Sequence, residues 1–193
     1  FLDGGMAKDS IDGGEGDATI LGNHGRDTID GGGGSDSIRG GLGNDLITGG
    51  DGDDLLTWAL AASGDTTSGG NGFDQLVARG SAAADTFNVT KSSGGSARMK
   101  ISNGTSTLTL GTSVEQVELT TGDGNDTVNI SDLRGVPGTL LTVRGEGGAD
   151  TDDVRPGNHH FTNQSVAECD YRFDQLVFFN FDRAGFKRSV GDG

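Results

Sequence analysis

Five aspartates, Asp9, Asp27, Asp36, Asp45 and Asp54, recur on a nine-residue grid near the start of this chain. A row of carboxylates at fixed spacing is a set of hard oxygen ligands, and calcium takes such ligands at about 2.3–2.6 Å. Magnesium suits the row less well, because it demands near-octahedral geometry and keeps its waters. Glycines precede each carboxylate at constant offsets: Gly22 and Gly25 before Asp27, Gly31 and Gly34 before Asp36, Gly40 and Gly43 before Asp45, Gly49 and Gly52 before Asp54. Their carbonyls are the further oxygen donors. The missing Cβ suits either a positive φ or a close approach of the backbone to something bound.

Such residues need a scaffold with the same period. From Gly4 to Thr57 the chain is six consecutive nine-residue units, starting at Gly4, Gly13, Gly22, Gly31, Gly40 and Gly49. Position eight holds Ile11, Ile20, Ile29, Ile38, Ile47 and Leu56, the only uniformly apolar column, and is therefore the core. Position six holds aspartate everywhere but at Ala18. Each unit reads as a tight glycine turn, one carboxylate, and a short strand with one side chain inward. A disordered acidic linker would share the low hydrophobicity and high charge, yet nothing in a linker requires an aliphatic residue at every ninth position.

If two units make one turn of a flattened solenoid, alternate units stack at about 4.8 Å. Asp9, Asp27 and Asp45 then form one ladder, and Asp36 and Asp54 the other. Repulsion between neighbouring carboxylates is roughly 0.9 kcal/mol in bulk water and about 3.5 kcal/mol at an effective dielectric of 20. A divalent ion between each pair reverses the sign, so the predicted ion-free state is disordered.

The units Gly31–Arg39, Gly40–Thr48 and Gly49–Thr57 resemble the RTX (hemolysin-type) family, whose glycine–aspartate nonapeptide is a calcium-binding parallel β-helix repeat. Looser copies precede them, with Asn23 for the second glycine, Ala7 for the third and Ala18 for the aspartate. The resemblance implies several calcium ions, each held between stacked turns by the position-six aspartates and turn carbonyls. It places complete sites at Asp9/Asp27, Asp27/Asp45 and Asp36/Asp54, and a weak or empty one at Ala18/Asp36, where Asp17 substitutes only in part. It also implies a secreted or cell-surface protein of bacterial type.

Composition agrees. The 193 residues carry a net charge of −15, with 37 glycines and 31% hydrophobic residues, too few for an ordinary globular core but enough for a solenoid whose turns cover one another. The acidic balance excludes nucleic acid as a partner. Cys169 is the single cysteine, so calcium rather than an intrachain disulfide must staple the fold. No apolar run approaches a membrane span. Leu2 falls on the position-eight column, nine residues before Ile11, and the chain reads as a piece of a longer protein.

The expected fold class is all-β, a parallel β-roll or β-solenoid with a less regular β-rich C-terminal portion. Residues 1–57 form the roll and 58–68 an inserted loop, an 11-residue excursion in which Trp58 covers core. Residues 69–157 continue as an irregular solenoid with isolated calcium turns at Asp74 and Asp126, and at Asp152 in a degenerate unit starting at Gly147. Alternation predicts strands at 85–90, 97–101, 106–110 and 114–119, with a hairpin turn at Asn103-Gly104. Residues 158–193 are aromatic-rich, and repeat Phe-Asp-Gln-Leu-Val of 73–77 at 173–177. They are expected to cap the solenoid or meet a neighbour.

A catalytic site is not evident: His-Glu-x-x-His, Gly-x-Ser-x-Gly and Cys-x-x-Cys are all missing. His159, His160 and Cys169 could suggest a transition metal, but adjacent histidines in a strand face opposite ways. Sequons at Asn88, Asn103, Asn125, Asn129 and Asn163 follow from composition in an Asn- and Thr-rich protein. The expected function is non-enzymatic. The chain is read as a calcium-binding structural segment of an adhesin, surface layer or extracellular fibre, with copies of itself or neighbouring modules as further partners. The other reading is the folding and secretion module of a secreted protease, lipase or epimerase.

Overall fold

The computed structural model describes residues 1–59, 64–92, 98–111, 113–131, 133, 136, 139–148, 150–154, 171–172 and 176–181, with side chains described as far as residue 150. In chain order the repeats supply β1 (Leu2–Asp3), β2 (Ser10–Asp12), β3 (Thr19–His24), β4 (Thr28–Gly33), β5 (Ser37–Leu42), β6 (Leu46–Asp51) and β7 (Leu55–Ala59). Then follow β8 (Gly64–Asn71), β9 (Gln75–Arg79), β10 (Thr86–Lys91), β11 (Met99–Asn103), β12 (Ser106–Leu110) and β13 (Gln116–Thr120). The last are β14 (Thr127–Ile130), β15 (Leu140–Gly145), β16 (Thr151–Val154), β17 (Tyr171–Arg172) and β18 (Leu176–Phe181). Helix is absent among the described residues, so none is long and apolar enough to cross a membrane.

Successive strands of the array alternate between two sheets, ordered β1-β3-β5-β7-β9-β13-β15-β18-β17 and β16-β14-β10-β11-β12-β8-β6-β4-β2. Two nine-residue units thus make one coil of a parallel solenoid. Pairing keeps every position on its own column: Leu2, Ile20, Ile38, Leu56 and Leu76 stack in one sheet, and Ile11, Ile29, Ile47 and Thr67 in the other. Ile20, Ile29, Ile38, Ile47 and Leu56 are buried, while Leu2 and Ile11, on the outermost coil, are only partly so. Each fully buried aliphatic contributes roughly 1.5–3 kcal/mol. A thin core is sufficient because each coil covers the next.

The strands are longer than the sequence suggests. β3 to β6 each run from position seven of one unit through position three of the next, so only positions four to six turn the corner. Positions two and four carry the positive φ, for example 107° at Gly41 and 136° at Gly43. Asn23, the one non-glycine residue at position two of the array, adopts 69°, which asparagine tolerates better than most residues. Position one has another reason to be glycine: a Cβ at Gly4 would lie 2.8 Å from the carbonyl oxygen of Gly22 in the next coil.

The expected loop at 58–68 is corrected by the structure. β7 runs on through Trp58 and Ala59, and β8 begins at Gly64, with Leu46 opposite Thr66 and Gly50 opposite Gly70. Residues 58–59 and 64–68 therefore belong to the stack, the step between glycine turns being two residues longer than elsewhere, with Thr67 in the core column. Threonine at an apolar position and the lost turn glycines hid it. Trp58 is buried, as expected, and pairs with Ala78 across the sheet. Residues 60–63 lie outside the described set.

Beyond β9 a second departure is built in. β11 and β12 form an antiparallel hairpin inserted between β8 and β10, so one sheet gains two strands while β9 pairs directly with β13 in the other. The turn is Gly104-Thr105, with Asn103 paired to Ser106 and φ of 57° at Gly104, so glycine occupies the first corner rather than the second. The second Phe-Asp-Gln-Leu-Val string does not repeat the first coil in register: the column of Leu76, Val117 and Leu141 passes through Val177, one residue beyond the matching leucine. His159, His160, Asn163 and Cys169, and Phe173 and Phe186 of the aromatic segment, lie outside the described residues.

Candidate metal centre

The corners of the solenoid form two rows. One row joins the first sheet to the second and carries Asp9, Asp27, Asp45 and Asp65; the other carries Ala18, Asp36, Asp54, Asp74 and Glu115. In each corner the position-six carboxylate divides its two oxygens. Oδ1 accepts the amide N–H of position six one coil earlier, from Asp9 to Asp27 (2.9 Å), Asp27 to Asp45 (2.9 Å), Asp36 to Asp54 (2.8 Å) and Asp54 to Asp74 (3.0 Å). This bond fixes the side chain inward over the corner.

Oδ2 has no such partner. It is buried and unbonded in Asp9, Asp27, Asp36, Asp45, Asp54, Asp74 and Asp126. These are seven of the eight aspartates that the nine-residue grid and its later echoes single out; the side chain of the eighth, Asp152, lies outside those described. An ionised oxygen without a hydrogen bond, taken out of water, costs several kcal/mol. In the ionised form, seven such oxygens call for a compensating cation.

Position-one glycines show where it fits. A Cβ on Gly22 would meet Asp27 Oδ2 at 2.7 Å and also the Gly40 carbonyl oxygen; one on Gly40 would meet Asp45 Oδ2 at 2.6 Å. Gly31 and Gly49 face Asp36 Oδ2 and Asp54 Oδ2 in the same way, beside the carbonyls of Gly49 and Gly69. Gly25, Gly34, Gly43 and Gly52, at position four, lie against the backbone of the preceding coil, and a side chain there would collide with it. Each corner thus offers a carboxylate oxygen and backbone carbonyls around a space that only glycine leaves open, a hard-oxygen donor set that fits calcium. Clusters of three or more His, Cys, Asp or Glu do not occur among the described residues; the donors are carbonyls with one or two carboxylates.

The Ala18 corner differs as its sequence implies. Gly13 has the Gly31 carbonyl and Ile20 Cδ1 as nearest neighbours and no carboxylate oxygen. Asp17 does not fill the gap, because its Oδ1 accepts the Ser35 amide at 2.8 Å on the exposed side. Asn44 and Asp53, also at position five, bond Gly64 and Phe73 in the same manner. Position five is a second stitching column that the sequence reading did not separate from the ligand column.

Burial perturbs the acids. Asp54 is pushed up to about 6, chiefly by desolvation, with the Asp36 amide opposing and the charges of Asp74, Asp36 and Asp53 adding to the rise. Asp45, Asp74 and Asp126 are raised for the same leading reason, each partly offset by the backbone amide it accepts.

Four members of these rows escaped the sequence. Asp65 accepts the Asp45 amide (2.9 Å), and Glu115 reaches the Asp74 amide (2.9 Å) from a corner with two fewer residues, its extra methylene spanning the difference. Asp85 and Asp150 flank Asp126, so the turn at Asp126 is not isolated: Asp126 accepts the Asp85 amide at 2.8 Å and gives its own to Asp150 at 3.1 Å. Asp152, the residue expected in position six, pairs with Val128 and so occupies position eight. The Gly147-Gly148 pair sits at positions three and four, not one and two, because Asp123 bridges Gly147. A signal was present, since Asp85, Asp126 and Asp150 each precede a threonine that begins a strand.

Neither comparison with curated proteins nor comparison with solved structures gave a match. The family model of the RTX calcium-binding nonapeptide repeat, in four copies, matches residues 3–38 and 30–57. It covers the coils whose corners hold Asp9, Asp27, Asp36, Asp45 and Asp54. The chain therefore opens with an RTX β-roll of the hemolysin type, whose nonapeptide repeats bind several calcium ions.

Proposed function

We propose that the chain is a load-bearing or spacer solenoid of a secreted or cell-surface bacterial protein, which folds when it meets calcium outside the cell. The observation that carries this reading is the set of seven buried, unpartnered Oδ2 atoms, all but that of Asp126 in a space left open by a position-one glycine. Without cations the corners combine carboxylate repulsion, desolvation and maximal glycine backbone entropy. With them the binding free energy becomes folding free energy. Asp9, Asp27, Asp36, Asp45 and Asp54 supply the carboxylates of the array, Asp74 extends one row, and the glycines of positions one and four make the room. RTX repeats occur in secreted proteins, which supports an extracellular setting.

A structural role fits the architecture. The repeats form a continuous stack with a thin core, a shape suited to extension and to contact with further coils of the same kind. The test is circular dichroism of the whole chain during calcium titration and subsequent chelation. Strand signal should appear with calcium, ignore equimolar magnesium, and disappear with chelator. A strand spectrum already complete in chelator would overturn the proposal.

A further inference from the structure

In the middle of the stack one ladder stops short. β3 stays paired to β5 through Asn23 opposite Gly41 and His24 opposite Leu42, and β7 to β9 through Ala59 opposite Arg79. Between β5 and β7 the pairing ends at Arg39 opposite Thr57. Trp58, at position one, is the cause. Over Gly4, Gly13, Gly22, Gly31 and Gly49 the carbonyl oxygen of the next coil's position-one glycine closes down, within reach of an added Cβ. The atoms nearest to Gly40 belong instead to Asp45 and Ile47 of its own unit. An indole in place of a hydrogen holds β5 and β7 apart.

A cavity of about 370 Å³ opens there, with Arg39, Gly41 and Leu42 of β5 on one side and Thr57, Trp58 and Ala59 of β7 on the other. Leu21 of β3 extends its apolar wall, and Asp65 stands at the corner end. Ligand sites run from about 300 to 1,000 Å³, so this one takes the end of a chain rather than a stretch passing through. Two donors in its lining are unspent. Trp58 is 3% exposed and its indole N–H is buried with no acceptor. Arg39 is exposed, and among the described residues its guanidinium has no carboxylate partner, in a chain of net charge −15.

We propose that this cleft captures the C-terminal end of an extended peptide whose last side chain is apolar. Backbone edges parted from each other offer main-chain hydrogen bonds to a third strand, the mode of recognition by strand addition. Arg39 stands where the ladder ends, and its planar fork matches the terminal carboxylate. Asp65 at the opposite end sets the direction, since a carboxylate is repelled there and held at Arg39. Leu21, Leu42 and Ala59 receive the last side chain. The site uses strand edges and a position-nine residue, and none of the position-six oxygens of the array.

The test uses the intact chain in saturating calcium and follows the heat of binding and the single indole N–H resonance, that of Trp58. The probes are tetrapeptides ending in leucine, valine or phenylalanine, each as the free acid and as the amide. At least one acid should bind and move the resonance, with its amide at least about tenfold weaker. Arg39→Gln should weaken the acid by at least about tenfold and erase the difference between acid and amide, and Arg39→Lys should restore only part of it. Neither variant should move the calcium midpoint of folding, because Arg39 is exposed and outside the aspartate column. Acid and amide bound alike, Arg39→Gln binding as the wild type does, or no acid bound at about 1 mM would each overturn the proposal. Glucuronate bound more tightly than every peptide, and through Arg39, would overturn it in favour of an acidic sugar.

Discussion

At the scale of single residues, neighbouring aspartates do unequal work. Asp27 accepts the Asp9 amide at Oδ1 and turns Oδ2 into the cradle of Gly22, whereas Asp17 accepts one exposed bond from the Ser35 amide. Asp27→Ala should therefore raise the calcium midpoint of folding strongly and lower cooperativity. Asp17→Ala should cost no more than a net hydrogen bond, about 0.5–1.5 kcal/mol. Calcium titrations of the two variants followed by dichroism check the ordering, and equal effects would refute the assigned roles. The raised acids predict a pH dependence whose sign follows from linkage. Asp54 is at about 6 in the ion-free fold against 3.8 in a model peptide, so that fold takes up protons and loses stability as pH rises from about 4 through about 6. Calcium needs the ionised form, so the calcium midpoint should rise as pH falls from 7 to 5. A midpoint flat across that window would contradict the burial of these carboxylates.

At the scale of elements, the same residue type is required for two reasons that substitutions can separate. Gly14 has open space where a Cβ would go but a φ of 77°, while Gly40 has an ordinary φ and a Cβ position 2.6 Å from Asp45 Oδ2. Gly14→Ala should cost only the left-handed strain, roughly 1–2 kcal/mol, with calcium stoichiometry unchanged. Gly40→Ala should displace a ligand oxygen and weaken ion binding by more than its effect on the strand, which calorimetry would show. The core column predicts a gradient as well: Leu56→Ala, fully buried mid-stack, should cost about 2–5 kcal/mol, and Leu2→Ala, on the partly covered first coil, clearly less. How far the elements could be read in advance depended on glycine. Where it marks the corner, as from Gly22 to Thr57, strands, core and ligand column all follow from the spacing. Where a serine and alanines stand in, as in Gly80–Asp85, or a glutamate takes the second place, as in Gly145–Asp150, the corner is made by stacking against Gly122 and Gly124. Only the neighbouring coil then reveals the register. Thr67 in a core column and a hairpin between β8 and β10 are tertiary choices, and no local period encodes them.

At the scale of the whole molecule, a solenoid's stability is nearly a sum of coil and interface terms, so a break in the stack divides its response. The hairpin makes such a break in one sheet only: the row of Asp36, Asp54 and Asp74 runs on to Glu115 through β9 and β13, while the row of Asp9, Asp27, Asp45 and Asp65 is cut off from Asp85. Trp58, the single tryptophan, stands in the position-one place beside this cut, 3% exposed between the sheets. Its emission therefore reports burial of the coils that carry the array and little else. Calcium should shift that emission to the blue in one cooperative step, and chelation should reverse it. The dichroism change, which sums all coils, should extend beyond that step, because coils past the hairpin fold on their own terms. Superimposable fluorescence and dichroism titrations in the wild type would show that coupling through β9 and β13 overrides the interruption, and that the stack behaves as one unit from its first corner to its last.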